Sequence, residues 1–307
     1  MPARMLATTW REQGLAGCAR KVSAATRMAL PVMLKGRRSA AGVAAYFDLI
    51  TDDGRLFYGD SFHFGYFRTG DETLAQALDA HTDLVAEMAR PQARERILDV
   101  GCGIGAPALR IAERYGCHVT AVNISREQVR QGRRLIEERQ MSRRVTIVRG
   151  DARALEFADA SFDAVVCLEA AGDICVTEED KDRLVSELHR VLRPGGRVGF
   201  SDLALRTCPP LEDDLTLKAV LYHRGAELVT DWPALFARHG FTIVGRRDII
   251  ADTMPTWDHT SAVYEERTLE VVRRYGRRIA DRTRAHVDLV PKILARYATF
   301  PVLSMLK

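Results

Sequence analysis

The chain has 307 residues, 47% hydrophobic and 28% charged, with a formal net charge of +4. That is enough apolar material for a sizeable core, and an α/β unit of this length commonly folds as one catalytic domain. Basic and acidic residues are interspersed through most of the chain, which argues against a nucleic-acid partner, and no apolar run approaches the ~18 residues that span a bilayer.

In chain order, residues 1–42 read as a basic N-terminal extension. Arg4, Arg11, Arg20, Lys21, Arg27, Lys35, Arg37 and Arg38 face a single acid, Glu12. A solvated, partly helical arm is the first reading. The others are a lid, a helix making peripheral membrane contact to meet a lipophilic substrate, and a transit peptide of the same composition. Residues 43–92 read as helices leading to a core over residues 93–307. Strands are expected near 96–101, 118–123, 144–149, 162–168 and 197–203, each followed by a helical stretch, which is the rhythm of a parallel sheet. The run from Leu192 to Gly196 closes the fourth helix and opens the fifth strand, since proline cannot continue a helix and glycine permits a left-handed turn. Beyond it come an insertion at about 206–228, a helix from Trp232 to His239 and a strand from Phe241 to Asp248. A charged, helical insertion at about 249–295 precedes a last strand from Tyr297 to Leu306. In that insertion Arg273, Arg274, Arg277, Arg278, Arg282 and Arg284 read first as a solvated helix face, ahead of an anion-binding wall.

The six cysteines (Cys18, Cys102, Cys117, Cys167, Cys175 and Cys208) form no Cys-x-x-Cys pair. This argues against a zinc knuckle or redox motif, and a reducing cytoplasm is the simplest location.

Chemistry concentrates between Arg96 and Ala106, where an apolar strand runs into a glycine turn and a helix. Gly101, Gly103 and Gly105 have no side chain to hold the backbone away from a ligand, and the helix from Ala106 to about Tyr115 offers free N–H groups at its start. Asp99 ends the strand just before them. A dinucleotide loop tolerates the same glycine spacing but asks for an acid roughly 20 residues on to hold a ribose. Asn123 stands there instead.

The order Asp99, glycine loop, Asn123, then Gly150-Asp151-Ala152 resembles the class I S-adenosylmethionine-dependent methyltransferases. The resemblance runs from about Ala45 to Lys307. It implies a Rossmann-like α/β fold: a seven-stranded, mostly parallel sheet with an antiparallel last strand and helical cap insertions. It also implies S-adenosyl-L-methionine as cofactor. Asp99, Gly101 and Gly103 would hold the methionine part, Asn123 the ribose hydroxyls, and Asp151 and Ala152 the adenine, with Gln128 and Leu168 completing the set. The run Val122-Asn123-Ile124-Ser125-x-x-Gln128 is similar to a variant among small-molecule enzymes of the tocopherol, sterol and sarcosine type. The segment from Tyr58 to Phe67 resembles an element that closes over the cofactor there. Tyr66 is then a candidate for a cofactor contact, and Phe62, Phe64 and Phe67 for an apolar wall. The same aromatics could instead staple the N-terminal helices onto the sheet.

Glu169 ends the fourth strand, where ligands bind in parallel sheets. It is the first catalytic candidate, and His63, His223 and Asp173 are possible bases on weaker grounds. No metal is expected, because acids at the ends of strands four and five are limited to Glu169, Asp173 and Asp202. Motifs used on flipped bases are missing as well. The reading is methyl transfer to an O, N or C atom of a small, partly hydrophobic molecule in specialised metabolism. Two alternatives stand beside it: an isoprenoid C-methyltransferase with or without coupled cyclisation, and a non-catalytic cofactor-binding protein. The sequence leaves a homo-oligomer open.

Overall fold

The structure, a computed structural model, describes residues 39–175, 177–221 and 228–307. The basic arm over residues 1–38 and His223 lie outside the described residues.

Helix α1 (Ala40–Tyr58) opens on Ser39, whose hydroxyl accepts the Gly42 N–H, and α2 (Leu74–Ala89) opens on a capping box between Thr73 and Gln76. Such caps satisfy N–H groups that the first turn leaves unpaired. The core then runs β1 (Arg96–Val100), α3 (Ala106–Tyr115), β2 (His118–Asn123), α4 (Arg126–Glu138), β3 (Val145–Arg149), β4 (Phe162–Leu168), α5 (Ala171–Ile174), α6 (Glu178–Val191) and β5 (Leu192–Ser201), so the helical stretch expected after β3 is a run of turns instead. After the short β6 (Ala204–Leu205) come α7 (Leu211–Leu221), α8 (Trp232–Arg238), β7 (Thr242–Asp248), α9 (Ile250–Thr253), α10 (Pro255–Tyr275) and α11 (Arg277–Tyr297). Strands β8 (Ala298–Thr299) and β9 (Pro301–Leu306) end the chain's elements.

The main sheet has seven strands in the order β3-β2-β1-β4-β5-β9-β7. Pairs among β1 to β5 are parallel, and β9 enters between β5 and β7 antiparallel to both. The expected mostly parallel sheet with an antiparallel last strand is the one found. Two strand boundaries differ from expectation. β5 begins at Leu192, because Leu192 pairs with Phe162 and the Pro-Gly-Gly run then forms an irregularity before pairing resumes at Arg197. The last strand begins at Pro301, because α11 continues to Tyr297 and the chain first makes the β6–β8 pair.

Alternation divides the core. Ile97, Ala164 and Val166 join one apolar cluster, while Leu98, Val100, Val165 and Cys167 join the cluster on the opposite sheet face. A third cluster, with Leu217, Trp257, Val290 and Ile293, holds the cap helices together. Asp248 fixes the neck of that cap: it accepts from the Thr299 hydroxyl at 2.6 Å and the N–H groups of Phe300 and Ile250 at 2.9 and 3.1 Å. Of the expected basic face, Arg273, Arg277 and Arg278 are exposed and Arg284 pairs with Glu265 and Asp288.

Candidate active site

A cleft of about 900 Å³, its open mouth included, lies beyond the carboxyl ends of β1, β2 and β4 and is covered by α1. Its lining brings together residues singled out in the sequence: His63, Asp99, Gly101, Gly103, Asn123, Gln128, Asp151, Ala152, Leu168 and Glu169, with Phe62 and Asp173 beside them. Tyr66 is not among the lining residues.

Asp99 sits at the base. It is buried, its Oδ2 has no hydrogen-bond partner, and burial pushes its pKa up to about 7. An unpaired buried carboxylate oxygen is costly, and its place beside the glycine turn marks it for a cationic or donor ligand. Gly101 has φ 72°, and a Cβ there would meet the Ala170 Cβ at 2.2 Å. Only glycine fits both the left-handed backbone and the close approach of the β4 end. Gly105 is the residue before α3 and supplies no side-chain cap, so the first N–H groups of that helix are left to a ligand or water.

Asn123 explains its own departure from the usual acid. Its Nδ2 donates to the Gly103 carbonyl at 3.1 Å and to Gln128 Oε1 at 2.8 Å, while its Oδ1 accepts the Ser125 N–H at 2.8 Å. A carboxylate could not make the two donations. The amide therefore braces the glycine turn against the start of α4. On the far side, Asp151 is bound by Arg153, which also reaches Asp180 at 2.7 Å. Burial pushes the Asp151 carboxyl up, but the Arg153 hydrogen bonds outweigh it and hold it below the usual range.

Glu169 stands at the end of β4 with φ 48°, a left-handed backbone rare for a residue with a side chain. Its Oε1 accepts the Phe64 N–H at 2.7 Å. Burial pushes its pKa well above the usual range, reinforced by Asp202 and Asp173. His63 places Nδ1 2.9 Å from the Phe64 carbonyl and Nε2 3.3 Å from the Thr82 hydroxyl, and burial pushes its pKa down to about 4. It is a neutral, tethered imidazole.

The aromatic segment divides between the two roles open to it. Phe62 lines the cleft, lying against Gly103 and filling the space beside Gly54 of α1. Phe64 packs on Trp257 and Phe300, and Phe67 stacks on His259. Tyr66 is buried in the core cluster with the Arg247 guanidinium 4.9 Å above its ring. Expected at the cofactor, it packs in the core outside the cleft lining, with its N–H bonded to the Ala77 carbonyl at 2.8 Å.

Sequence reasoning missed Ala40, Val43 and Phe47, the face that α1 turns to the cleft, and the paired Arg153. It also missed His81, which is buried on α2 and gathers with His63 and Glu169 so that one ligand-type atom of each lies within 4.8 Å of the others. A lone histidine on an apolar helix face carries no pattern that marks it.

Residues 97–196 match the family model described as a methyltransferase domain. The chain is 31% identical over 222 residues to the methyltransferase GfsG of Streptomyces halstedii, covering 70% of this chain and 77% of that one. It is 30% identical over 227 residues to the 27-O-demethylrifamycin SV methyltransferase of Amycolatopsis mediterranei, with 73% and 80% covered. A sterol 24-C-methyltransferase of Yarrowia lipolytica is 38% identical over 154 residues, but these are 50% of this chain and 39% of that protein. Among solved structures, the [4+2]-cyclase SpnF superposes with TM-score 0.75 and 28% identity over 88% of this chain and 97% of that one. The cyclopropane synthase MmaA2 of Mycobacterium tuberculosis shares the fold with TM-score 0.78 at 21% identity, covering 88% and 99%. The sheet order, the glycine turn below an acid and the relatives matched over most of their length agree: this chain belongs to the class I S-adenosylmethionine-dependent methyltransferases.

Proposed function

We propose that the cleft binds S-adenosylmethionine with its methionine end on Asp99 and the turn of Gly101 and Gly103, its ribose near Asn123 and Gln128, and its adenine near Asp151, Ala152 and Leu168. The unpartnered, buried Asp99 oxygen beside a glycine turn carries this reading, since an ammonium or sulfonium would supply the charge that the site lacks. The bound cofactor supplies a methyl group on an excellent leaving group. The chain's own part is alignment, exclusion of water by α1 and Phe62, and Glu169 facing the acceptor.

The acceptor we infer is a hydroxyl oxygen of a small, partly hydrophobic molecule of specialised metabolism. The relative whose name specifies a 27-O-demethyl substrate matches 73% of this chain, whereas the sterol enzyme matches half. A carbon acceptor of isoprenoid type is the second reading. No helix of the described residues is long and apolar enough to cross a membrane, and we propose a cytoplasmic location.

Calorimetric titration of S-adenosylhomocysteine and S-adenosylmethionine tests the cofactor site. Micromolar binding to the wild type and at least tenfold weaker S-adenosylmethionine binding to Asp99→Ala are expected. Equal affinity in the two proteins would remove Asp99 from the site.

A further inference from the structure

Four residues close a ring of hydrogen bonds around the end of β4. The Glu169 carboxylate takes the Phe64 N–H at 2.7 Å. The Phe64 carbonyl faces His81 Nδ1 at 2.8 Å, and His81 Nε2 faces the Ser201 hydroxyl at 3.1 Å. The Ser201 carbonyl accepts the Glu169 N–H at 2.8 Å, returning to the starting residue. A carbonyl oxygen only accepts, so His81 carries its proton on Nδ1, and Nε2 receives the Ser201 hydroxyl proton. The ring thus grips Glu169 at both its backbone, where φ is left-handed, and its carboxylate. Besides Glu169 itself, His81 is the member that spans from the sheet to the segment above it. Its Nδ1 also lies 3.4 Å from Glu169 Oε1. Burial, with His63 beside it, pushes the His81 pKa down to about 3, so the three partners of Glu169 in the ring are uncharged.

We propose that His81 is a positioning residue for the methyl-transfer reaction: a neutral imidazole that locks Glu169 in one orientation toward the acceptor, acting through Phe64 and Ser201 without touching cofactor or substrate. His81 does not line the cleft, whereas Glu169 does. This rests on the reading of Glu169 as the acceptor-facing carboxylate. It also accounts for the His63, His81 and Glu169 cluster without a metal ion. Both Nδ1 atoms are used on a single carbonyl, and both Nε2 atoms face hydroxyls. Among the described residues, the titratable groups around Glu169 are Tyr58 on α1, His63 in the segment after it, His81 on α2, Asp173 on α5 and Asp202 after β5.

The test is carboxyl 13C NMR of the full chain labelled at glutamate and saturated with S-adenosylhomocysteine, with Glu169→Gln used to assign the Glu169 resonance. The expected wild-type spectrum has one narrow Glu169 line that titrates above the ordinary carboxylate range. In His81→Phe, which offers no N–H, the midpoint rises by at least half a pH unit and the line broadens. In His81→Asn, whose amide can reoccupy the Nδ1 position, the midpoint returns toward the wild type. S-adenosylhomocysteine affinity stays within threefold in both variants, which separates this proposal from the cofactor assignment. If His81→Phe does not fold, His81→Gln, which keeps a group near Nε2 but moves the donor away from Phe64, takes its place with the same expected rise. A Glu169 titration unchanged or lowered in a folded His81 variant overturns the proposal. So does stoichiometric transition metal in the purified wild type that is absent from His81→Asn.

Discussion

Asp99 is a group whose charge the fold has made expensive and the ligand must redeem. Burial alone raises its pKa from the ordinary 3.8 to about 7. The folded state therefore keeps a proton that the unfolded chain has lost, so this residue lowers the stability of the ligand-free protein as pH rises from about 4 to 7. Cofactor binding runs the other way, because a cationic ligand favours the ionised carboxylate. S-adenosylmethionine affinity should therefore fall as pH drops below 7, approaching tenfold per unit once Asp99 is mostly protonated, and Asp99→Asn should flatten this slope. Calorimetry between pH 5.5 and 7 measures it. At this scale the sequence was legible where residue type and backbone need coincide, as at Asp99 and Gly101. It was not legible at Asn123, whose amide is spent on Gly103, Gln128 and Ser125, nor at His81, because such bonds depend on partners from remote elements.

At the scale of elements, the segment from Ser61 to Phe67 is the joint of the molecule. Phe64 bonds to Glu169 on the strand end, Gly65 N–H to the Thr256 hydroxyl on α10 at 3.0 Å, Tyr66 N–H to α2, and Phe67 N–H to the Asp252 carbonyl at 2.9 Å. It ties the cap to the sheet, with little backbone left free to swing as a lid. Gly65 allows the approach: a Cβ there would meet the Ala77 Cβ at 2.7 Å and a Phe67 ring carbon at 2.9 Å. Gly65→Ala should cost about 1–3 kcal/mol by overpacking, seen as a lower urea midpoint with an unchanged m-value. An unaltered midpoint would show that the segment yields easily. The sequence offered two roles for its aromatics, and both are used, Phe62 at the cleft and Phe64 and Phe67 in packing. Their order along the chain does not say which is which, since the segment follows no regular period.

For the whole molecule, the alternation of strand and helix made the order of the core readable, and the apolar runs of β1 and β4 made its centre readable. The strand starts at Leu192 and Pro301 were less so, because an irregular pairing and a small second sheet are set by neighbours distant in sequence. The cap insertions were expected from length and charge, and their anchoring through Asp248 was not. Strand β9 carries much of the integrity of this arrangement, with Val302, Leu303 and Met305 fully buried between two strands. Leu303→Ala should destabilise the protein by about 2–5 kcal/mol in chemical denaturation. A loss below about 1 kcal/mol would mean that the sheet closes without it.

The place of β9 also sets the timing of assembly. Arg197 to Ser201 pair with β4 on one edge, but on the other edge their partners are Val302 to Leu306, with every cap helix lying between the two in sequence. While the chain is being made, one edge of β5 stays open, and β7 has no place in the sheet until β9 has left the ribosome. The cofactor half can collapse early from near-neighbour contacts, but the finished enzyme must wait for its most distant pairing, and a nascent chain stalled before residue 301 would present an unprotected strand edge to chaperones.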